Sequence, residues 1–159
     1  MFERDWNHAL AESIEDVLEK MFFISALQGD EPQPGSARSD VVAQLSFEGE
    51  PSGWLVLRIS GGAARSIAAD FLGAEEQELT SAQVGEVICE LANMICGSVL
   101  SRVESEAAFR LESPRLLPPE MEIDCEGAAT RTLDVGDGRL TAFMKTGNPA
   151  CPTAEKSVC

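Results

Sequence analysis

The stretch from Thr80 to about Val103 constrains this chain more than any other. Thr80 and Gln83, three residues apart, form a candidate capping box, in which a hydroxyl and a carboxamide each take up a backbone N–H of the first turn. A helix is therefore expected to open here, and it is the longest the sequence offers. At about 100° per residue, Val84, Ile88, Leu91, Ile95 and Val99 fall within roughly 60° of one direction, which must be the core side. Glu86, Glu90, Asn93 and Gly97 fall at roughly 180° to 240° from it, so two carboxylates, one carboxamide and one glycine share the opposite face.

That face accepts local penalties. Like charges at i and i+4 cost about 0.2 to 0.5 kcal/mol, so Glu86 and Glu90 gain nothing from each other. Asn93 has mediocre helix propensity, and Gly97 costs about 1 kcal/mol relative to alanine. A glycine there removes a side chain and lets another backbone approach. An acidic stripe is nevertheless more often a plain solvated face, and geometry alone identifies no enzyme. Glu86, Glu90 and Asn93 are also oxygen ligands for a hard cation, but three on one helix without an Asp-rich loop make a weak site.

The remaining elements give that helix something to pack on. Leu10, Ile14, Val17, Leu18 and Met21 recur at helical spacing, predicting an amphipathic helix from about Asp5 to Phe23. Gln28 to Asp40 is rich in glycine, proline and charge and reads as a mobile connection. Val41–Phe47 and Gly53–Ile59 read as a hairpin with a longer loop. A short helix follows, with Ser60 as N-cap, Ala64, Ile67, Ala68, Phe71 and Leu72 on one stripe, and Gly73 as its stop. Gly61-Gly62 lacks the Gly-Lys-Ser/Thr of a phosphate loop and is taken as helix-start geometry. Strand-like pieces close the chain at Phe109–Pro114, Glu122–Cys125, Arg131–Val135 and Leu140–Lys145, with Gly136-Asp137-Gly138 as a turn. The expected architecture is α/β in the α+β sense, with helices packed on a mostly antiparallel sheet. One domain over residues 1–146 and a disordered tail over 147–159 complete it.

Composition narrows the partners. With 27 acidic against 12 basic residues, the net charge of -15 repels phosphate backbones and anionic lipid, so neither nucleic acid nor membrane is expected. A protein surface offering lysine or arginine fits better. The N-terminus has acids and no apolar h-region, and the five cysteines are odd in number with no C-x-x-C pair. Reduced thiols in the cytoplasm are the expectation, although Cys151 and Cys159 are close enough in sequence to bridge on oxidation. There is no Gly-x-Ser-x-Gly elbow and no Cys/His nucleophile pairing. The one histidine, His8, lies near Trp6 in the leading helix and reads as a surface or capping residue.

Glu86-x-x-x-Glu90-x-x-Asn93-x-x-x-Gly97, on a long helix after a strand pair and a short helix, resembles the signature helix of CheX/CheC/FliY phosphatases. Gly53-x-Leu55-x-Leu57, Ala68, Gly73 and the closing Gly138-x-Leu140 fit the wider pattern, and the resemblance spans about residues 5–146. Glu90 and Asn93 match the signature fully; Glu86 stands where the family usually has Asp or Ser. CheC-like members carry two such motifs, whereas the first helix here offers Glu12-x-x-Glu15 without an asparagine. The resemblance therefore implies a single site of the CheX kind and a homodimer. It implies a phosphatase acting on the aspartyl-phosphate of a CheY-like receiver domain, with Glu90 and Asn93 catalytic and Glu86 and Gly97 at the partner contact. Asn93 would orient the attacking water and Glu90 would pair with the receiver lysine. The receiver would hold the Mg²⁺, leaving this chain without a cofactor or metal of its own. The rival reading is a non-catalytic dimeric module that docks a receiver or flagellar switch protein; retention of both Glu90 and Asn93 favours the enzyme.

Overall fold

The structure is a computed structural model that describes residues 6–22, 27–28, 40–49, 52–103, 109–121, 123, 127–135 and 138–147. The Gln28–Asp40 connection, the Glu122–Cys125 strand, the Gly136-Asp137 turn and the tail all fall wholly or mostly outside these residues.

The described residues form three α-helices: α1 at Trp6–Phe22, α2 at Gly61–Leu72 and α3 at Ser81–Val103. The strands are β1 at Leu27–Gln28, β2 at Val41–Glu48, β3 at Gly53–Ile59, β4 at Arg110–Leu111, β5 at Arg115–Leu117, β6 at Ala129–Val135 and β7 at Gly138–Thr146. Among the described residues they form one seven-stranded sheet in the order β1-β6-β7-β3-β2, with β4 and β5 both on the outer edge of β2. Every pairing is antiparallel.

Strand alternation decides which face the helices cover. Ala43, Leu45 and Phe47 of β2, Leu55, Leu57 and Ile59 of β3, and Leu140, Ala142 and Met144 of β7 point to one side, because successive side chains alternate. The three helices bury Leu10, Ile14, Leu18, Ile67, Ile88, Leu91 and Ile95 against that side, each fully buried apolar side chain contributing about 1.5 to 3 kcal/mol. On the reverse side Val42, Trp54, Val56 and Leu117 form a smaller cluster flanked by Met121, Ile123 and Phe143. Among the described residues α3 alone has the length and mean hydropathy, 1.4, of a membrane span. Its apolar side is instead packed on the sheet, with Ile88, Leu91, Ala92, Ile95 and Val99 at 0% exposure.

Local chemistry sets the ends of the helices. At Thr80 the box closes as expected: the Gln83 N–H donates to Thr80 Oγ1 at 3.1 Å, and the Thr80 N–H donates to Gln83 Oε1 at 2.9 Å. α2 ends at Gly73, whose φ of 66° is the left-handed conformation that glycine adopts without strain. Ser60 holds the N-cap position of α2, yet its hydroxyl does not cap. It accepts the Arg139 N–H at 3.0 Å while its own N–H donates to the Arg139 carbonyl at 3.0 Å, so it fastens α2 to β7.

Two expectations need correction. Phe71 and Leu72 are 42% and 45% exposed, because the last turn of α2 runs past the surface that covers Ile67 and Ala68. The single strand expected at Phe109–Pro114 is two short ones, β4 and β5. Pro114 offers no N–H to a ladder, and the chain leaves β2 after the Glu112 N–H bonds to the Ser46 carbonyl, pairing again from Arg115. β1, two residues long, has too little pattern to be read from sequence.

Candidate functional site

α3 lies on β2 and β3 with its apolar stripe inward, so its solvent side is fixed by the same packing. Glu86 and Glu90 are exposed on that side, and Asn93 and Gly97 are half-buried along it. The four sequence-derived residues are thus brought to one surface. Among the described residues no hydrogen bond or ion pair engages the side chains of Glu86, Glu90 or Asn93. At i and i+3 on a helix, Glu90 and Asn93 are neighbours, with Cβ atoms about 5 to 6 Å apart. They present an anion and a neutral donor–acceptor side by side, both unspent.

The glycines of α3 differ in purpose. A Cβ on Gly97 would meet nothing within 4 Å, so the fold itself does not require glycine there. A Cβ on Gly85 would come within 2.5 Å of Leu116 Cδ1, so that glycine seats the edge strand β5 against the helix.

Sequence reasoning passed over Cys89, which is half-buried beside the stripe one turn after Glu86. Burial, and secondarily the negative charge of Glu86, push its thiol pKa up. The signal was its i+3 spacing from an acid, but its partial burial could not be read. A raised thiol pKa keeps sulfur protonated and a poor nucleophile. Cys96, on the buried side, is pushed up to about 12 by burial.

Among the described residues no group of three His, Cys, Asp or Glu side chains is placed to hold a metal ion. A groove of about 590 Å³ opens between the first turns of α2 and α3 and the edge strand, lined by Gly61, Gly62, Arg65, Ser81, Val84 and Leu116 among others. It shares no residue with the Glu86–Glu90–Asn93–Gly97 stripe, which is a convex helix surface suited to another macromolecule rather than an enclosed small molecule.

Of the acids on α1, Glu12, Glu15 and Asp16 are engaged. Arg102 of α3 reaches Glu12 Oε1 at 3.3 Å and Asp16 Oδ2 at 3.1 Å, and Arg131 of β6 reaches Glu15 Oε2 at 3.4 Å. His8, exposed as expected, lies 3.0 Å from Glu12.

The sequence profile of the family described as chemotaxis phosphatase CheX matches residues 41–131, more than half of the chain and the whole of α3. The chain belongs to this family. Solved structures agree at the level of fold. A CheX from Borrelia burgdorferi, determined in complex with CheY, BeF3 and Mg²⁺, superposes with a TM-score of 0.73 at 16% identity, covering 92% of this chain and 100% of that one. CheX from Vibrio vulnificus gives 0.74 at 18% identity, covering 89% and 96%. A CheC-like protein from Shewanella sp. PV-4 gives 0.67 at 16% identity, covering 91% and 99%. A comparison with curated protein sequences gives no significant match. The CheC-like fold expected from the sequence, helices on an antiparallel sheet, is therefore the fold observed.

Proposed function

We propose that the chain hydrolyses the aspartyl-phosphate of a CheY-like receiver domain, using Glu90 and Asn93 on the exposed face of α3. The observation that carries this reading is that neither of the two side chains, one helical turn apart on a surface where Gly97 leaves room for a close approach, has a hydrogen-bond or ion-pair partner among the described residues. Membership of the CheX family supports it, as does a structural neighbour caught with CheY and BeF3, a beryllium fluoride that imitates a phosphoryl group on an aspartate.

The chemistry asks little of the protein beyond position. An acyl-phosphate is labile, and its hydrolysis needs a water held in line with the breaking P–O bond. Asn93 accepts and donates hydrogen bonds at once, so its carboxamide orients that water toward phosphorus; the bond to the receiver aspartate breaks and inorganic phosphate leaves. Glu90 pairs with the receiver lysine and fixes the register of docking, Glu86 extends the electrostatic contact, and Gly97 admits the receiver backbone. Mg²⁺ held by the receiver would neutralise the phosphoryl oxygens, and this chain contributes no cofactor. Residues 1–146 act as the phosphatase domain of a cytoplasmic homodimer, with 147–159 as a tail outside it. The charge of -15 keeps nucleic acid and membrane from competing.

The test is loss of phosphate from a phosphorylated receiver, followed by stopped flow, beside binding to the same receiver carrying BeF3. Asn93→Ala should slow hydrolysis by roughly 10²- to 10³-fold with binding largely intact. Glu90→Ala should weaken association by about 2 to 5 kcal/mol and flatten its salt dependence, since a stranded receiver lysine carries much of that cost. Full activity in Asn93→Ala would remove the water-positioning role and leave a docking module.

A further inference from the structure

Two helices of this fold lie side by side on one face of the sheet, and each exposes a glutamate with a second polar side chain three residues on. α3 has Glu90 and Asn93; α1 has Glu12 and Glu15. They differ in what surrounds them. The guanidinium of Arg102 is fully committed to α1: Nε donates to Ser13 Oγ at 3.1 Å, Nη1 to Glu12 at 3.3 Å and Nη2 to Asp16 at 3.1 Å. Ser13 is completely buried, so it anchors the planar fork at its base. Arg131 takes Glu15, and Lys20 adds a second contact to Asp16 at 3.3 Å. Glu12, Glu15 and Asp16 are thus matched by three cations, with Glu19 outside the network, whereas no cation among the described residues meets Glu86 or Glu90.

We infer that Arg102 is a selectivity residue, which withdraws the carboxylates of α1 so that a receiver lysine finds its uncompensated acid on α3. The inference rests on the proposed function. Without Arg102, Glu12 loses its guanidinium partner and keeps only the 3.0 Å contact to exposed His8 on its own helix, and Glu15 stands where α3 has the carboxamide. A receiver seated there is held but not hydrolysed. Packed helices lie about 8 to 10 Å apart, and a receiver-sized domain has a radius of gyration of about 13 Å, so the two seats exclude each other. Mutually exclusive, unproductive binding lowers kcat and KM by the same factor and leaves kcat/KM unchanged.

Steady-state dephosphorylation of a phosphorylated receiver by Arg102→Gln reads this directly. The expected result is a joint fall in kcat and KM of about twofold or more with kcat/KM preserved, and a tightening of binding to the BeF3-loaded receiver by the same factor. Adding Glu12→Gln and Asp16→Asn to Arg102→Gln should restore both constants, because the released carboxylates are gone although the clamp is still missing. Should Arg102→Gln fail to fold, Arg102→Lys serves: one ammonium cannot hold Glu12, Ser13 and Asp16 together, and a smaller joint fall is expected. A drop in kcat/KM that the added substitutions do not restore would overturn the inference and make Arg102 a brace for the fold. Wild-type activity with unchanged kinetics in the Arg102 variants sinks this inference alone, whereas a wild-type protein that leaves the receiver phosphorylated sinks the functional reading with it.

Discussion

Gly97 shows how a single residue can be explained from outside the molecule. Mid-helix glycine costs about 1 kcal/mol relative to alanine, and nothing in the fold offsets it, since the Cβ position is open. Gly97→Ala should therefore raise stability in urea by roughly 0.5 to 1 kcal/mol while weakening receiver binding, with Gly97→Leu binding more weakly still. A leucine variant that binds the receiver as tightly as wild type would show that the open position serves no approach. Gly97 could be singled out in the sequence because its neighbours on the helical wheel are polar. Gly85 could not, because its reason, Leu116, arrives from a strand distant in the chain. The acids of α1 pose the same difficulty. Glu12 and Glu15 look like the acids of α3 until Arg102 and Arg131 are brought to them by the fold.

At the scale of elements, what was legible is what is decided locally. The limits of α3 follow from a capping box and a 3.6-residue stripe, and the β2–β3 hairpin from alternation, so both were readable. What depends on distant partners was not. Ser60 resembles a cap but serves Arg139, β4 and β5 pair along the outer edge of β2, and the exposure of Phe71 and Leu72 is set by tertiary packing that the α2 stripe does not reveal. The capping box separates helix stability from site chemistry. Thr80→Ala removes the acceptor of the Gln83 N–H and should cost about 1 kcal/mol in urea denaturation. The loss falls on the first turn of α3, while Glu90 and Asn93 lie beyond it on a length held by Ile88, Leu91 and Ile95. Phosphatase kcat should therefore stay within about twofold of wild type, since an interaction outside the reacting geometry adds little to the transition state. A loss of kcat as large as that expected of Asn93→Ala would mean that the first turn sets the site.

For the molecule as a whole, the core contains a group whose titration couples stability to pH. Cys96 is fully buried in the main core, and burial pushes its thiol pKa up to about 12. The unfolded chain ionises at about 9, so between 9 and 12 the unfolded state binds fewer protons than the folded one. The slope of unfolding free energy against pH is then negative. The contribution of Cys96 is whole below pH 9 and is lost as pH rises toward 12, at on the order of 1 kcal/mol per unit. Cys89, also raised, adds to the same slope. The chain has no tyrosine, so no phenol titrates in this window to obscure the effect. Urea denaturation of the reduced protein, followed through buried Trp54, should show stability level from pH 7.5 to 8.5 and falling steadily from about 9 to 10.5. Cys96→Ala should begin lower at neutral pH, because it leaves a small cavity, and decline less steeply above 9. Parallel slopes for the two proteins would place the alkaline loss in other groups and count against a thiol held protonated by the core.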